Sequence, residues 1–400
     1  MNVPLIDLAS QQLEVSEDVK AGWEKIIATS AFIGGAAVSE FEAAYADATG
    51  VSSCVGLANG TDAIELSLRA LGVTVGDEVV LPANSFVATA EAVSRIGAVP
   101  VVVDVDPTYL LIDPDRVAEA MSARTKAIVP VHLFGQVAPV ERLQSIAEAW
   151  GVPIVEDAAQ SQGARRFGQP AGSLGKVAGT SFYPGKNLGA FGDAGAVTTN
   201  DPDLAERIRM IAAHGSKTKY VHEVLGFNSR LDALQAVVLS AKLKRLAYWN
   251  ACRREAAAYY DELLAGSLDV VLPRSAEGNE DVWHLYVIRV RDRDKVLAAL
   301  HEAGIGAGIH YPTPIHQTQA FAPLAKLGTA CPISEQAAGE ILSLPLCPYI
   351  TAETQEYVVE ILGRAVRPGG VAKAPRRQAV FAGGNPNRPH IAQASPAFGK

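Results

Sequence analysis

One lysine in the stretch Ser181-Phe-Tyr-Pro-Gly-Lys186-Asn-Leu-Gly-Ala-Phe-Gly-Asp-Ala-Gly195 stands among small, apolar and turn-forming residues, with no acid following it until Asp193. Surface lysines usually sit among other charges; Lys186 does not. An ammonium shielded in this way has a lowered pKa, which favours the neutral, nucleophilic amine. Upstream, Pro153-Ile-Val-Glu-Asp157-Ala-Ala-Gln160 reads as an apolar strand that delivers an acid at its carboxyl end. The local residues leave three readings of Lys186 open: a surface lysine in a glycine-rich turn, a phosphate-binding lysine, or a lysine that forms a Schiff base. The pattern GxxxxGK[ST] is missing, so a nucleoside triphosphatase reading fails. Asp157 either caps the following helix or pairs with a cation. A shielded lysine and an acid at a strand end are the two protein groups that pyridoxal phosphate needs: one holds the aldehyde, the other keeps the pyridine nitrogen protonated.

Other residues carry weaker signals. Gly60, Thr61 and Asp62 fall at the amino end of a predicted helix, where exposed amides suit a phosphate dianion and where an ordinary cap is equally common. Ser181 would add a hydroxyl there. Phe86, in Asn84-Ser-Phe-Val-Ala-Thr89, is a core residue by base expectation. His310, Tyr311 and His316 suggest a metal at first sight, but with Pro312 and Pro314 between the histidines the spacing fits no zinc pattern, and no metal is expected.

Six motifs in order give the chain a wider resemblance: Asn59-Gly-Thr-Asp-Ala63, Asn84-Ser-Phe-Val-Ala-Thr89, Glu156-Asp-Ala-Ala-Gln160, Ser181-Phe-Tyr-Pro-Gly-Lys186, Asn228-Ser-Arg-Leu-Asp232 and His310-Tyr-Pro312. From about Val3 to about Leu362 the chain resembles the DegT/StrS-type sugar aminotransferases, a branch of the fold type I pyridoxal phosphate enzymes. The resemblance implies that Lys186 is the Schiff-base lysine and Asp157 the pyridinium partner. It implies that Gln160 meets the cofactor's 3′-oxygen and that Phe86 stacks on the cofactor ring. Gly60, Thr61 and Ser181 then hold its phosphate, with Asn228 reaching across from the other subunit of a homodimer. Tyr183, Asn187, His310, Tyr311 and His316 become substrate-pocket residues.

The activity so implied moves an amino group from an amino acid, with glutamate the expected donor, to a nucleotide-linked keto-sugar. Within the family, the Lys186 and His310 motifs most resemble enzymes that aminate carbon 3 of a dTDP-linked 3-keto-6-deoxyhexose. UDP-sugar, 4-keto-sugar and cyclitol aminotransferases share the same frame. Sugar dehydratases of the family carry histidine in place of the lysine, so Lys186 favours transamination. A non-catalytic regulator is disfavoured by the joint presence of Lys186, Asp157 and Gln160.

The elements must position these groups. Between Val51 and Asn200, apolar strand-like runs (Glu78-Val-Val-Leu81, Val99-Pro-Val-Val-Val103, Ala127-Ile-Val-Pro-Val131, Pro153-Ile-Val155) alternate with helix-period segments such as residues 61–71. The pattern predicts an α/β fold with a mostly parallel sheet covered on both faces, the ligand lying at the strands' carboxyl ends. The expected division is an amino-terminal segment (1–48) packing with the small domain, a large cofactor domain (49–230) and a bridging helix (231–264). A small α+β domain (265–365) and a basic Pro/Gly-rich tail (366–400) follow. The tail carries Arg367, Lys373, Arg376, Arg377, Arg388 and Lys400 and no acid. With 400 residues, 48% of them hydrophobic, a large core is within reach. A net charge of −8 argues against nucleic-acid binding. The apolar runs are too short for a membrane span, no basic region precedes the first apolar residues, and Cys54, Cys252, Cys331 and Cys347 form no close pair. A cytoplasmic protein with reduced thiols is the expectation.

Overall fold

The computed structural model describes residues 1–267 and 269–367. The expectation for the tail therefore lies almost wholly outside the described residues. Helices α1 (Leu8–Thr29) and α2 (Ala36–Thr49) precede strand β1 (Ser53–Leu57). Then come α3 (Gly60–Ala70), β2 (Glu78–Pro82), α4 (Ala88–Ile96), β3 (Val99–Val103), α5 (Pro114–Ala120), β4 (Thr125–Ile128), α6 (Val140–Trp150) and β5 (Val155–Asp157).

Strand order in one half of the main sheet is β1, Gly195–Thr199, Val177–Ser181, β5. In the other half it is Lys326–Leu327, β3, β2, β4. Parallel bridges Ile128↔Ile154 and Val131↔Asp157 join the halves. Among the described strands of this sheet, Gly195–Thr199 alone runs against both of its neighbours. The sheet is mostly parallel and, with helices between its strands, follows α/β logic.

Two boundaries differ from the sequence reading, both because of proline. The apolar run 153–155 became a strand two residues later: Pro153 has no N–H to give, while Asp157 donates its N–H to the Pro130 carbonyl and pairs with Gly179. Pro130 likewise leaves β4 ending at Ile128 instead of at Val131. The acid is therefore inside the ladder, not beyond it.

After α7 (Pro202–Ala212) and a hairpin of Ser216–Thr218 with Val221–His222, helix α8 (Ala233–Leu264) runs from one core to the other. Its Ala236 and Leu239 pack with Phe182 and Leu188. Its Ala257, Tyr260 and Leu264 pack with the strand Tyr286–Val290. That strand pairs antiparallel with Ile341–Leu344, beside α9 (Arg293–Glu302) and α11 (Ala352–Val366), with α10 (Pro332–Glu340) just before it. The first residues divide between the two cores. Val3 bridges to Ile305, whereas Phe41 and Tyr45 of α2 set their rings 5.5 and 5.2 Å from Phe182.

Candidate active site

Strand β5 carries two adjacent acids, and side chains alternate across a strand. Glu156 is fully buried on one face, where Oε1 accepts N–H bonds from Leu174 and Gly175 (2.8 and 2.7 Å). Its Oε2 accepts from the Gly172 N–H at 2.8 Å and lies 2.7 Å from His132 Nε2. Because His132 Nδ1 accepts from the Ala138 N–H (3.1 Å), Nε2 carries the proton toward Glu156. Asp157, 5% exposed, has less. Its Oδ2 accepts from the Thr89 hydroxyl at 2.7 Å and its Oδ1 from the Ala159 N–H at a long 3.2 Å. Burial pushes its pKa up, against those hydrogen bonds and the charge of Lys186.

Lys186 closes a tight loop at the end of the strand Val177–Ser181. Its N–H donates to the Tyr183 carbonyl (2.8 Å), and the Ala190 N–H returns to the Phe182 carbonyl (2.8 Å). Its side chain is half-buried in the cleft. Shielding from water lowers the amine's pKa to about 8, while the Asp157 carboxylate pulls it the other way. Near neutral pH an appreciable fraction of this amine is unprotonated.

A few residues away lies the amino end of α3. Asn59 caps it, its side chain accepting from the Asp62 N–H at 2.8 Å. The first amides, those of Gly60 and Thr61, have no acceptor within the helix. Glycine is required here by space: a Cβ on Gly60 would fall 2.6 Å from Ser181 Cβ, and one on Gly195 would fall 2.4 Å from the Asn59 carbonyl. With both absent, the Gly60 and Thr61 amides and the Ser181 hydroxyl come together at a helix amino terminus. That donor set fits a phosphate dianion.

Aromatic groups flank the cleft. Phe86 is 51% exposed, its ring 5.2 Å from that of Tyr311. The Tyr311 hydroxyl accepts from Gln160 Nε2 at 3.0 Å, and Gln160 Oε1 accepts from the Phe134 N–H at 2.6 Å. His310 Nδ1 lies 2.8 Å from the Ser343 hydroxyl. Burial and the charge of Lys186 lower the His310 pKa. Tyr183 stands exposed at the rim.

Two expected pocket residues have hydrogen-bond partners elsewhere. Asn187 is 1% exposed and turned inward. Its Nδ2 donates to Asn250 Oδ1 and to the Val282 carbonyl, both at 2.9 Å, and its Oδ1 meets His284 Nδ1 at 3.1 Å. Burial forces an amide to satisfy its groups internally, so none is left for substrate. His316 sits on the short 3₁₀ turn Ile315–Gln317, its Nε2 3.0 Å from Glu335 of α10 and its Nδ1 buried without a hydrogen-bond partner. Asn228 is exposed, its backbone bridged to Ala213, while its neighbour Ser229 accepts from the Ala58 N–H at 3.3 Å.

The sequence reading missed Thr89, which lay inside a quoted motif and turns out to hold Asp157. It also missed His284, a buried histidine whose pKa is lowered well below its ordinary value by burial and by the charges of Lys186 and Arg253. A polar residue in the apolar run Trp283-His-Leu-Tyr-Val287 was the available signal.

Residues 14–363 match the model of the DegT/DnrJ/EryC1/StrS aminotransferase family. The chain belongs to this family. Among curated relatives, the Saccharopolyspora erythraea protein named "erythromycin biosynthesis sensory transduction protein EryC1" is 44% identical, over 90% of this chain and 99% of its own. The dTDP-3-amino-3,4,6-trideoxy-alpha-D-glucose transaminase of Streptomyces venezuelae is 42% identical, over 87% and 92%. The crystal structure of S. venezuelae DesV in complex with a ketimine intermediate superposes with a TM-score of 0.89 at 40% identity, covering 92% of this chain and 99% of that one. The fold is that of the fold type I pyridoxal phosphate aminotransferases, and the family's cofactor is pyridoxal phosphate. Among the described residues no helix is long and apolar enough to cross a membrane.

Proposed function

We propose that this chain transfers an amino group from an amino acid, glutamate by preference, to a nucleotide-linked 3-keto sugar in amino-sugar biosynthesis. One observation carries the reading: Asp157, a buried acid with few donors, ends β5, and half-buried Lys186 lies in the loop that follows its parallel neighbour Val177–Ser181. The relatives support the substrate class, since one of them is named for a dTDP-3-amino sugar.

Bound here, pyridoxal phosphate supplies an aldehyde that accepts nitrogen and a pyridine ring that accepts electrons when protonated. The Gly60 and Thr61 amides and the Ser181 hydroxyl take its phosphate. Lys186 would hold the aldehyde, and its amine, when free, would be the base placed to move a proton. Asp157 would keep a proton on the ring nitrogen by ion pairing in a poorly solvated site. Phe86 would offer a flat face to the ring, and Gln160, fixed by Phe134 and Tyr311, would offer an amide to it. Tyr183, His310 and Tyr311 border the space left for the sugar.

The deciding experiment loads the enzyme with pyridoxamine phosphate and screens nucleotide keto-sugars by mass spectrometry. A mass gain on a dTDP-linked 3-keto sugar sustains the proposal. Gain only on UDP-linked, 4-keto or cyclitol substrates moves it within the family. A second reading, a regulator, draws on the name of the S. erythraea relative; turnover with any keto-sugar excludes it.

We further propose a homodimer with shared sites, in which Asn228 reaches the neighbour's phosphate. Asn228 is exposed and makes no side-chain hydrogen bond among the described residues. Mixing Lys186→Ala with Asn228→Asp subunits should restore up to about half of the activity per heterodimer, because both lesions then fall at one of two equivalent sites. Heterodimers without activity would place Asn228 at its own subunit's site, on the side where Ser229 already meets Ala58.

A further inference from the structure

Lys242 is a buried lysine for which the chemistry above has no use. It lies in the first third of α8, 2% exposed. Its Nζ donates to the Gly189 carbonyl at 2.6 Å and stands 4.8 Å from the centre of the Phe191 ring. Burial lowers its pKa to about 8, with no carboxylate opposing that shift. An uncompensated buried ammonium is destabilising, so its retention calls for a reason.

That reason lies in what it holds. Gly189 and Phe191 belong to the loop that begins at Lys186. Gln235, seven residues earlier on α8, accepts the Phe191 N–H through Oε1 at 2.8 Å. Asn250, eight residues later, accepts from Asn187 Nδ2 at 2.9 Å. Spacings of seven and eight keep three residues on one helical face. This face carries Gln235, Lys242 and Asn250, and they hold Phe191, Gly189 and Asn187 in antiparallel order. Backbone bonds close the loop between Lys186 and Tyr183, Ala190 and Phe182, and Phe182 and Ala194, and the α8 side chains hold what lies between. Its near end is closed tightly: a Cβ on Gly189 would fall 2.3 Å from the Pro184 carbonyl. A shift at Gly189 is therefore passed to the turn that carries Lys186.

We propose that Lys242 is a positioning residue for the catalytic turn: its ammonium, through the Gly189 carbonyl and the Phe191 ring, fixes where the Lys186 amine stands. The kinetic part rests on Lys186 being the cofactor lysine; the structural part does not.

The test compares wild type, Lys242→Met, Lys242→Arg and Gln235→Leu. Amide exchange is followed first, on the apoprotein. In Lys242→Met the segment 182–192 should exchange about tenfold faster or more, while β2 and β3 keep their protection. Gln235→Leu should loosen the Phe191 end of the same segment and serves if Lys242→Met does not fold. In the holoenzyme kcat should fall by about ten- to a hundredfold with KM for the keto-sugar little changed, since a small displacement of a reacting group suffices for that loss. Lys242→Arg, which keeps charge and donors, should recover part of it. Unchanged exchange at 182–192, or uniform acceleration throughout the core, would make Lys242 an ordinary core residue. A loss expressed only in KM would overturn the positioning role as well. If the wild type fails to aminate any sugar, the proposed function falls and the exchange result still decides the role of Lys242.

Discussion

The two faces of β5 place neighbouring acids in opposite circumstances. Glu156 looks into a closed polar nest of three backbone N–H groups and the His132 ring. Asp157 looks into the cleft with one hydroxyl and one long N–H bond. Saturation with donors makes a carboxylate a structural fastener for the turn 172–175. Under-saturation leaves the other short of a partner, and a protonated ring nitrogen is a partner of the right charge. Burial alone does not separate the two; the donor count does. In the notation of the sequence they are a single motif, Glu156-Asp157.

The largest expected effect lies on the cleft side. Lys186→Ala should lower turnover by about 10³-fold or more, since it removes both the covalent anchor and the general base. Borohydride reduction of the wild-type holoenzyme should fix a pyridoxyl group on the peptide containing Lys186, and labelling of another lysine would break the assignment. Asp157→Asn should lower kcat by on the order of 10²-fold, as expected for losing one electrostatic stabiliser. Near-wild-type turnover would transfer the role to another acid, for which Glu156 has no free lone pair directed at the cleft.

The same pair gives opposite signs in stability. The native pKa of Asp157 lies above the ordinary carboxylate value, so the folded apoprotein binds its proton more tightly than the unfolded chain. Stability is then lost as pH rises above the unfolded carboxylate value toward the raised native one. Asp157→Asn apoprotein should melt above wild type at pH 7, with the gap closing toward pH 4. Glu156→Gln should instead lose on the order of 2–3 kcal/mol, measured by denaturant titration, because buried donors lose a charged acceptor. The folded fraction should keep kcat within a few-fold. Equal stability changes in the two variants would erase the contrast between the faces.

A smaller effect concerns Lys186 before the cofactor binds. With its pKa lowered to about 8, the amine should be acylated in the apoprotein at pH 7.5 roughly tenfold faster than surface lysines, read peptide by peptide by mass spectrometry. Thr89→Val is the finest probe. Removing its 2.7 Å bond to Asp157 should lower kcat by about tenfold or less. No change would mean that the Ala159 N–H and the ring suffice to orient the acid.

Much of the architecture was legible in the sequence. Strand β3 and helix α3 fall within a residue of where periodicity put them, because short apolar runs bounded by turn residues have few ways to be buried. Lys186, Asp157, Gln160, Ser181 and the amino end of α3 were marked by residue type and order, and the fold brings them to one side of the sheet. Proline in the apolar runs was also in the sequence, yet its effect on β4 and β5 became clear only once the ladder partners were known.

The sequence by itself determined the chemistry available: a lysine without counter-charges, an acid at a strand end, a glycine-opened helix terminus, and motifs in a family's order. Only the tertiary structure decided direction. Register against Gly179 and Val131 turned Asp157 to the cleft and Glu156 away from it. Contacts from α8 and from the Val282–His284 segment turned Asn187 inward, and Glu335 engaged His316. Thr89, 68 residues from Asp157, became its main donor. The physical reason is common to all of these. A residue's type sets what it can bond, but the side it faces follows from strand pairing and loop closure between segments far apart in the chain.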